Sequence, residues 1–231
     1  MLIAQISDTH ITTPDPAEAK TLARIGALET FVAHINAMDE KPNLVIHTGD
    51  VTHGGEPEYY EIIKAAMSPL SIPVFFALGN RDKAVNLVAG LKDLGGADTV
   101  DGFLIYSVDG FPVRLIAMDT QHREDNIGTT CSVRLAALDE MLKDAPDTPT
   151  ALFMHHPPFE VTTSKYPFQF DDKVLADAFL DLVAHHKQVV HMFCGHAHRA
   201  FTVNLETCVA TVVPSLQPDN RLGDFGDNLK E

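Results

Sequence analysis

Five apolar runs in this chain each end in residues able to hold a metal ion, and that repetition constrains the fold more than any other feature. The first, Ile3-Ala4-Gln5-Ile6-Ser7, leads into Asp8-Thr9-His10. A β-strand sends alternate side chains to one side, so Asp8 and His10 can aim at a common point beyond its end. Leu44-Val45-Ile46-His47 leads through Thr48-Gly49 to Asp50, and Pro73 to Leu78 leads through Gly79 to Asn80. Ala151 to Met154 ends in His155-His156-Pro157-Pro158, and Val189 to Phe193 in Cys194-Gly195-His196-Ala197-His198. Carboxylate oxygen and imidazole nitrogen are the usual ligands of divalent transition metals. Singly, a histidine at a strand end is an ordinary surface residue and an Asp or Asn an ordinary turn. Seven such groups at five strand ends are not ordinary.

Helices alternate with these strands. Apolar spacing at Leu22, Ile25, Leu28, Val32 and Ile35 predicts a helix over Ala17 to Met38 that ends near Lys41-Pro42. Further helices are expected from Glu56 to Met67, Lys83 to Leu91, Val133 to Leu142 and Val174 to His185. Asp109-Gly110 between Phe103–Val108 and Val113–Met118 reads as a hairpin, and Phe201–Leu205 with Cys208–Val213 as another. This alternation predicts an α/β fold with parallel strands, whose carboxyl ends gather functional groups at one edge. Seven O and N ligands exceed one tetrahedral site and fit two ions if one carboxylate bridges them. Gly49, Gly79 and Gly195 each stand just before a ligand, and Gly49 permits the sharp turn that aims Asp50 outward.

Size and charge narrow the function. A chain of 231 residues with 45% hydrophobic residues suits one domain, 1–231, with 214–231 as a loop or tail. The first eight residues already form the strand-and-ligand pattern, so no leader is expected, and no apolar run reaches the roughly 20 residues of a membrane span. Cys131, Cys194 and Cys208 show no paired framework and no zinc spacing, so the expected location is cytoplasmic. A net charge of −15 argues against a nucleic-acid polymer as partner. It does not argue against a small phosphorylated substrate, because two bound cations would make the site locally positive. A homo-oligomer is left open.

The set Asp8-x-His10, Gly49-Asp50, Gly79-Asn80, His155-His156-Pro157 and Gly195-His196-x-His198 resembles the calcineurin-like metallophosphoesterase superfamily. Within it the HHPP and CGHxH forms are similar to class III cyclic-nucleotide phosphodiesterases and glycerophosphodiesterases. The resemblance runs from Leu2 to about Pro214 and implies a four-layer αββα sandwich. It implies two divalent ions per chain, manganese, iron or zinc. Asp8, His10, Asp50 and His198 would hold the first; Asp50, Asn80, His155 and His196 the second, with Asp50 bridging. Two metals roughly 3.5–4 Å apart clamp a phosphate and supply a hydroxide near neutral pH for in-line attack. The expected substrate is a small soluble phosphodiester, a 3′,5′-cyclic nucleotide or a glycerophosphodiester.

One residue departs from the family pattern. Most members read Gly-Asn-His-Asp at the third motif, and this chain has Gly79-Asn80-Arg81-Asp82. Arginine cannot donate a proton at pH 7, but it can brace a phosphate oxygen bidentately. Arg81 is thus expected either to act beside Asp50 and Asn80 in catalysis and substrate binding, or to form a salt bridge with Asp82. UDP-2,3-diacylglucosamine hydrolases share GNRD but lack HHPP, which makes a pyrophosphatase the alternative. A non-catalytic scaffold is a third reading, opposed by the presence of all seven ligands. His156 is read as a substrate contact or a packing residue, His53 as a solvated turn histidine in preference to a substrate contact, and Asp119 as a turn cap. His34, His122, His185, His186 and His191 lack ligand spacing and are expected to be surface or structural.

Overall fold

The computed structural model describes residues 1–95, 98–162 and 168–217. Two sheets lie face to face. β1 (Ile3–Ile6), β2 (Leu44–His47) and β3 (Val74–Phe76) form a parallel three-stranded sheet with Ile3 opposite Leu44 and Val45 opposite Val74. The connections are α1 (Ala19–Ala37) and α2 (Pro57–Met67), with α3 (Ala84–Leu91) following β3. The second sheet contains β4 (Tyr106–Val108), β5 (Arg114–Met118), β6 (Thr150–Met154), β7 (Val189–Cys194), β8 (Phe201–Asn204) and β9 (Val209–Val212). Its order is β4-β5-β6-β7-β9-β8, parallel in the middle with antiparallel edges. The connecting helices here are α4 (Ser132–Asp144) and α5 (Lys173–His185).

Strand alternation sets the layers. Leu115, Ala117, Ala151 and Phe153 point into a core shared with β1–β3 and with Leu28, Ile63 and Leu87 of α1, α2 and α3. Their neighbours Ile116, Met118, Leu152 and Met154 point the other way, onto Leu138 of α4 and Phe179 of α5. The result is helix, sheet, sheet, helix: the four-layer sandwich. The central strands β2, β5 and β6 are buried along their whole length, as strands covered on both faces must be.

Some expectations shift. The first hairpin strand is short: Phe103 pairs locally with Val100, and regular pairing starts only at Tyr106 opposite Ala117. On α1, Leu22 is 47% exposed, while Thr21 and Arg24 are buried. Both have polar partners: Thr21 Oγ1 accepts from Asp15 N at 2.8 Å, and Arg24 Nε donates to Gln217 Oε1 at 2.9 Å. Of the expected terminal loop, 214–217 is neither helix nor strand and 218–231 lies outside the described residues. No helix among the described residues is long and apolar enough to cross a membrane.

Polar ties join the sheets where the core would otherwise be purely apolar. The buried Tyr106 hydroxyl donates to Phe76 O at 2.8 Å and accepts from Phe76 N at 2.9 Å, so the edge strand β4 completes the backbone bonding of β3. Gln5 Nε2 donates to Cys194 O at 3.0 Å, tying β1 to β7. Tyr106→Phe leaves both backbone groups of Phe76 without this partner in a dry core. An orphaned buried group costs about 1–3 kcal/mol, and a loss of roughly 2–3 kcal/mol is expected in urea unfolding at constant m-value. An unchanged midpoint would show that the hydroxyl does not tie the sheets.

Candidate metal centre

The carboxyl ends of β1, β2, β3, β6 and β7 meet between the two sheets, and the turns that follow them are strained. Asp8, His10, Asp50, His196 and His198 all have positive φ, between 46° and 67°. Among the described non-glycine residues only Asp101 shares this conformation. Side chains there cost roughly 1–3 kcal/mol each and persist where the surroundings over-determine them, typically at functional sites. The preceding glycines make the close approach possible. Gly49 has φ of 92°, and a Cβ there would lie 2.6 Å from His155 Nδ1. A Cβ on Gly79 would strike the backbone of Asp50, and one on Gly195 would strike Ser7 Oγ.

Seven side chains converge in two groups. In the first, His198 Nε2 lies 3.1 Å from Asp8 Oδ1 and 3.4 Å from His10 Nε2. In the second, His155 Nε2 lies 3.0 Å from Asn80 Oδ1 and 3.2 Å from His196 Nδ1. Asp50 stands between: Oδ2 is 3.6 Å from His10 Nε2 and Oδ1 is 3.5 Å from His155 Nε2.

The donor set fits cations. His155 Nδ1 donates to Thr48 O at 2.8 Å, because a carbonyl can only accept. Burial holds this imidazole below its usual 6.5 and hence neutral, so Nε2 carries a lone pair. That lone pair faces the oxygens of Asn80 and Asp50, which are also acceptors. Asp8 adds to this crowding. Its Oδ2 accepts from Ser7 Oγ and from His196 N, leaving Oδ1 turned to His198 and His10. Imidazole nitrogens and carboxylate oxygens gathered this closely, with His155 Nε2 fixed as a lone pair, suit a cation site.

Around this cluster lie residues whose roles were not evident from sequence. Asp82 is buried, and its carboxylate accepts from Val51 N, Thr52 N, Thr52 Oγ1, Gly79 N and Tyr60 Oη, knotting the Asp50 loop to the Asn80 loop. Its oxygens are therefore taken up by five inward donors, which replaces the salt bridge expected from its adjacency to Arg81. Arg81 donates its backbone N–H to Asp50 Oδ1 at 2.8 Å, and its charge is felt at Asp50 and His196. His156 is fully buried, its Nδ1 3.0 Å from Thr120 Oγ1 and its ring tilted at 56° to that of His196, with centroids 4.4 Å apart. Gln121 Nε2 reaches Asn80 O at 3.3 Å. Asp119 caps its turn as expected, accepting from Gln121 N and Leu104 N. His122, His186 and His191 pair with Asp125, Asp139 and Thr211 away from the cluster.

A signal missed in the sequence was His47, a polar residue closing an otherwise apolar strand. It is completely buried, and its Nε2 lies 3.0 Å from Thr9 Oγ1. Thr9 spends its own proton on Val51 O at 2.7 Å, so His47 must donate, and Thr9 is pinned between Asp8 and His10.

These burials set a pH profile for chelator-treated protein. His10, His47, His155, His156 and His196 are all held below 6.5 by burial. An unfolded chain takes up protons at these rings near pH 6.5 and the folded chain does not, so their contribution is present above 6.5 and lost as pH falls. Asp50 acts oppositely: burial, with the Asp8 charge beside it, pushes its carboxyl up to about 8. Its contribution is present at low pH and lost as pH rises through 8. Urea midpoints should therefore peak between pH 6.5 and 8 and fall steeply toward pH 5, by about 1.4 kcal/mol per pH unit for each ring. A flat profile from pH 5 to 7 would contradict the neutral, buried imidazoles.

Similarity to known proteins agrees with this geometry. Over 202 residues the chain is 31% identical to a protein of Arcobacter nitrofigilis named probable glycerophosphodiester phosphodiesterase GpdQ, covering 87% of this chain and 73% of that one. Over 224 residues it is 31% identical to a probable cyclic nucleotide phosphodiesterase of a Synechococcus strain, covering 94% and 83%. A dimetal phosphatase from Danio rerio shares the fold with a TM-score of 0.73 at 14% identity, over 94% of this chain and 88% of that one. The family model described as calcineurin-like phosphoesterase matches residues 1–200, which include all five strand ends that carry the candidate ligands. This chain is a hydrolase and belongs to the calcineurin-like phosphoesterase family.

Proposed function

We propose that the protein is a two-metal phosphodiesterase that cleaves a small soluble diester, a glycerophosphodiester or a 3′,5′-cyclic nucleotide. The observation that carries this reading is Asp50, whose two carboxylate oxygens face separate groups of ligands at 3.5 and 3.6 Å. Asp8, His10 and His198 with one Asp50 oxygen would hold the first ion; Asn80, His155 and His196 with the other would hold the second. Two divalent ions bound there would supply a hydroxide near neutral pH and positive charge for the phosphoryl oxygens. Relatives named for both diester classes support the substrate range.

The chain's own residues do the rest. Thr48 O and Ser7 Oγ fix the faces that His155 and Asp8 present, so the ligands need no reorganisation. Asn80 is a neutral oxygen donor and preserves more of its metal's positive charge than a carboxylate. Arg81, half-buried at the rim beside Asn80, braces a phosphate oxygen. It offers no proton to the departing oxygen, so cleavage depends on how readily that oxygen leaves unaided. General acid catalysis typically contributes about 10²–10⁴-fold, and its absence at this position weighs on alkyl and ribosyl leaving groups.

The test is turnover by metal-loaded protein of glycerophosphodiesters, cyclic AMP, bis(p-nitrophenyl) phosphate and UDP-diacylglucosamine. Bis(p-nitrophenyl) phosphate should turn over faster than cyclic AMP. Arg81→His should narrow that gap, and Arg81→Ala should raise KM for both. Preference for UDP-diacylglucosamine would replace the reading with a pyrophosphatase, and no turnover of any substrate would favour a scaffold. Unchanged kcat and KM in Arg81→Ala would remove Arg81 from the site.

A further inference from the structure

His53 was read from sequence as a solvated turn residue. Its backbone N–H donates to Ile11 O at 3.1 Å, and Ile11 N donates to Val51 O at 3.1 Å. This short parallel ladder, with Ile11 opposite Thr52, sets the third residue after Asp50 beside the turn that carries His10. The His53 ring meets the His10 ring edge-on, with centroids 5.5 Å apart, an interplanar angle of 63° and the two Nδ1 atoms 3.4 Å apart.

We propose that His53 is a positioning residue for the first metal: it accepts the Nδ1 proton of His10 and so presents His10 Nε2 as a bare lone pair. The inference rests on the two-metal reading above. His10 Nε2 faces His198 Nε2 at 3.4 Å, Asp50 Oδ2 at 3.6 Å and Asp8 Oδ1 at 3.8 Å, the atoms that define the first half-site. A neutral imidazole carries one proton. On Nε2 that proton would sit in the middle of the ligand cluster and block coordination. On Nδ1 it needs an acceptor, and His10 is buried, with little access to water. The atom facing it is His53 Nδ1. His53 is exposed, and the tautomer that carries its own proton on Nε2 leaves Nδ1 to accept.

His155 shows the same arrangement in the second half-site, where Nδ1 donates to the Thr48 carbonyl. There the acceptor is backbone and no substitution removes it. At His10 the acceptor is a side chain and can be replaced. Because the ladder that places residue 53 uses only backbone atoms, a substitution there removes the acceptor and leaves the Asp8–His10 turn in place.

The experiment is calorimetric titration of chelator-stripped full-length protein with Mn²⁺ for wild type, His53→Ala, His53→Leu and His53→Asn. Loss of an outer partner of a metal-bound histidine typically costs 10–100-fold in affinity. His53→Ala and His53→Leu should weaken one of the two binding events by about 10–100-fold and change the other little. His53→Asn, whose Oδ1 can stand where His53 Nδ1 stands, should recover most of that loss. Thermal melts of the four proteins verify folding. Wild-type affinities retained in a folded His53→Ala overturn the proposal. Wild-type protein that takes up no Mn²⁺ would overturn the two-metal reading, and this inference with it.

Discussion

Two carboxylates, Asp8 and Asp50, are buried together with His155 in a group whose ligand atoms lie within 4.8 Å of one another. Water would ordinarily solvate such a pair, and the interior cannot. In the metal-free chain the conflict is eased by holding Asp50 protonated, with its carboxyl pushed up to about 8, while the histidines stay neutral. A cation resolves the same conflict better, since it pairs with both charges and uses every lone pair around them. Much of the fold serves to keep that arrangement from relaxing.

The restraints are mostly backbone. Five of the candidate ligands occupy left-handed turns, and the three glycines just before candidate ligands let neighbouring loops touch where any side chain would collide. Asp82 draws two of those loops together through five hydrogen bonds, and His47 with Thr9 pins a third. Chain connectivity contributes as well: the candidate ligands that follow β1, β2 and β3 belong to one sheet and those that follow β6 and β7 to the other. Gln5 and Tyr106 hold the two sheets in register. Preorganisation of this kind would spare the site the cost of assembling these groups around a bound cation.

The architecture and the ligand cluster were legible because both rest on local patterns. Apolar runs ending in Gly-Asp, Gly-Asn or Gly-His signal a strand and its functional end together. What stayed hidden depended on partners far away in sequence. Apolar spacing placed Leu22 on the buried face of α1, but Arg24 is buried there because Gln217, 193 residues on, accepts from it. His53 looked like an isolated turn histidine because His10, 43 residues earlier, is invisible to spacing. Adjacency also misled: Asp82 follows Arg81 in sequence, yet its oxygens turn inward to Val51, Thr52, Gly79 and Tyr60. Only tertiary structure shows which neighbour a polar side chain has.

The central claim is that Asp50 joins two cation sites into one. Electron paramagnetic resonance during Mn²⁺ titration of chelator-stripped protein tests it directly, because two ions sharing a carboxylate ligand are magnetically coupled. The account predicts an exchange-coupled spectrum that grows to completion at two equivalents in the wild type and is absent in Asp50→Asn. Saturation at one equivalent, or two bound ions whose spectra remain those of isolated Mn²⁺, would contradict it.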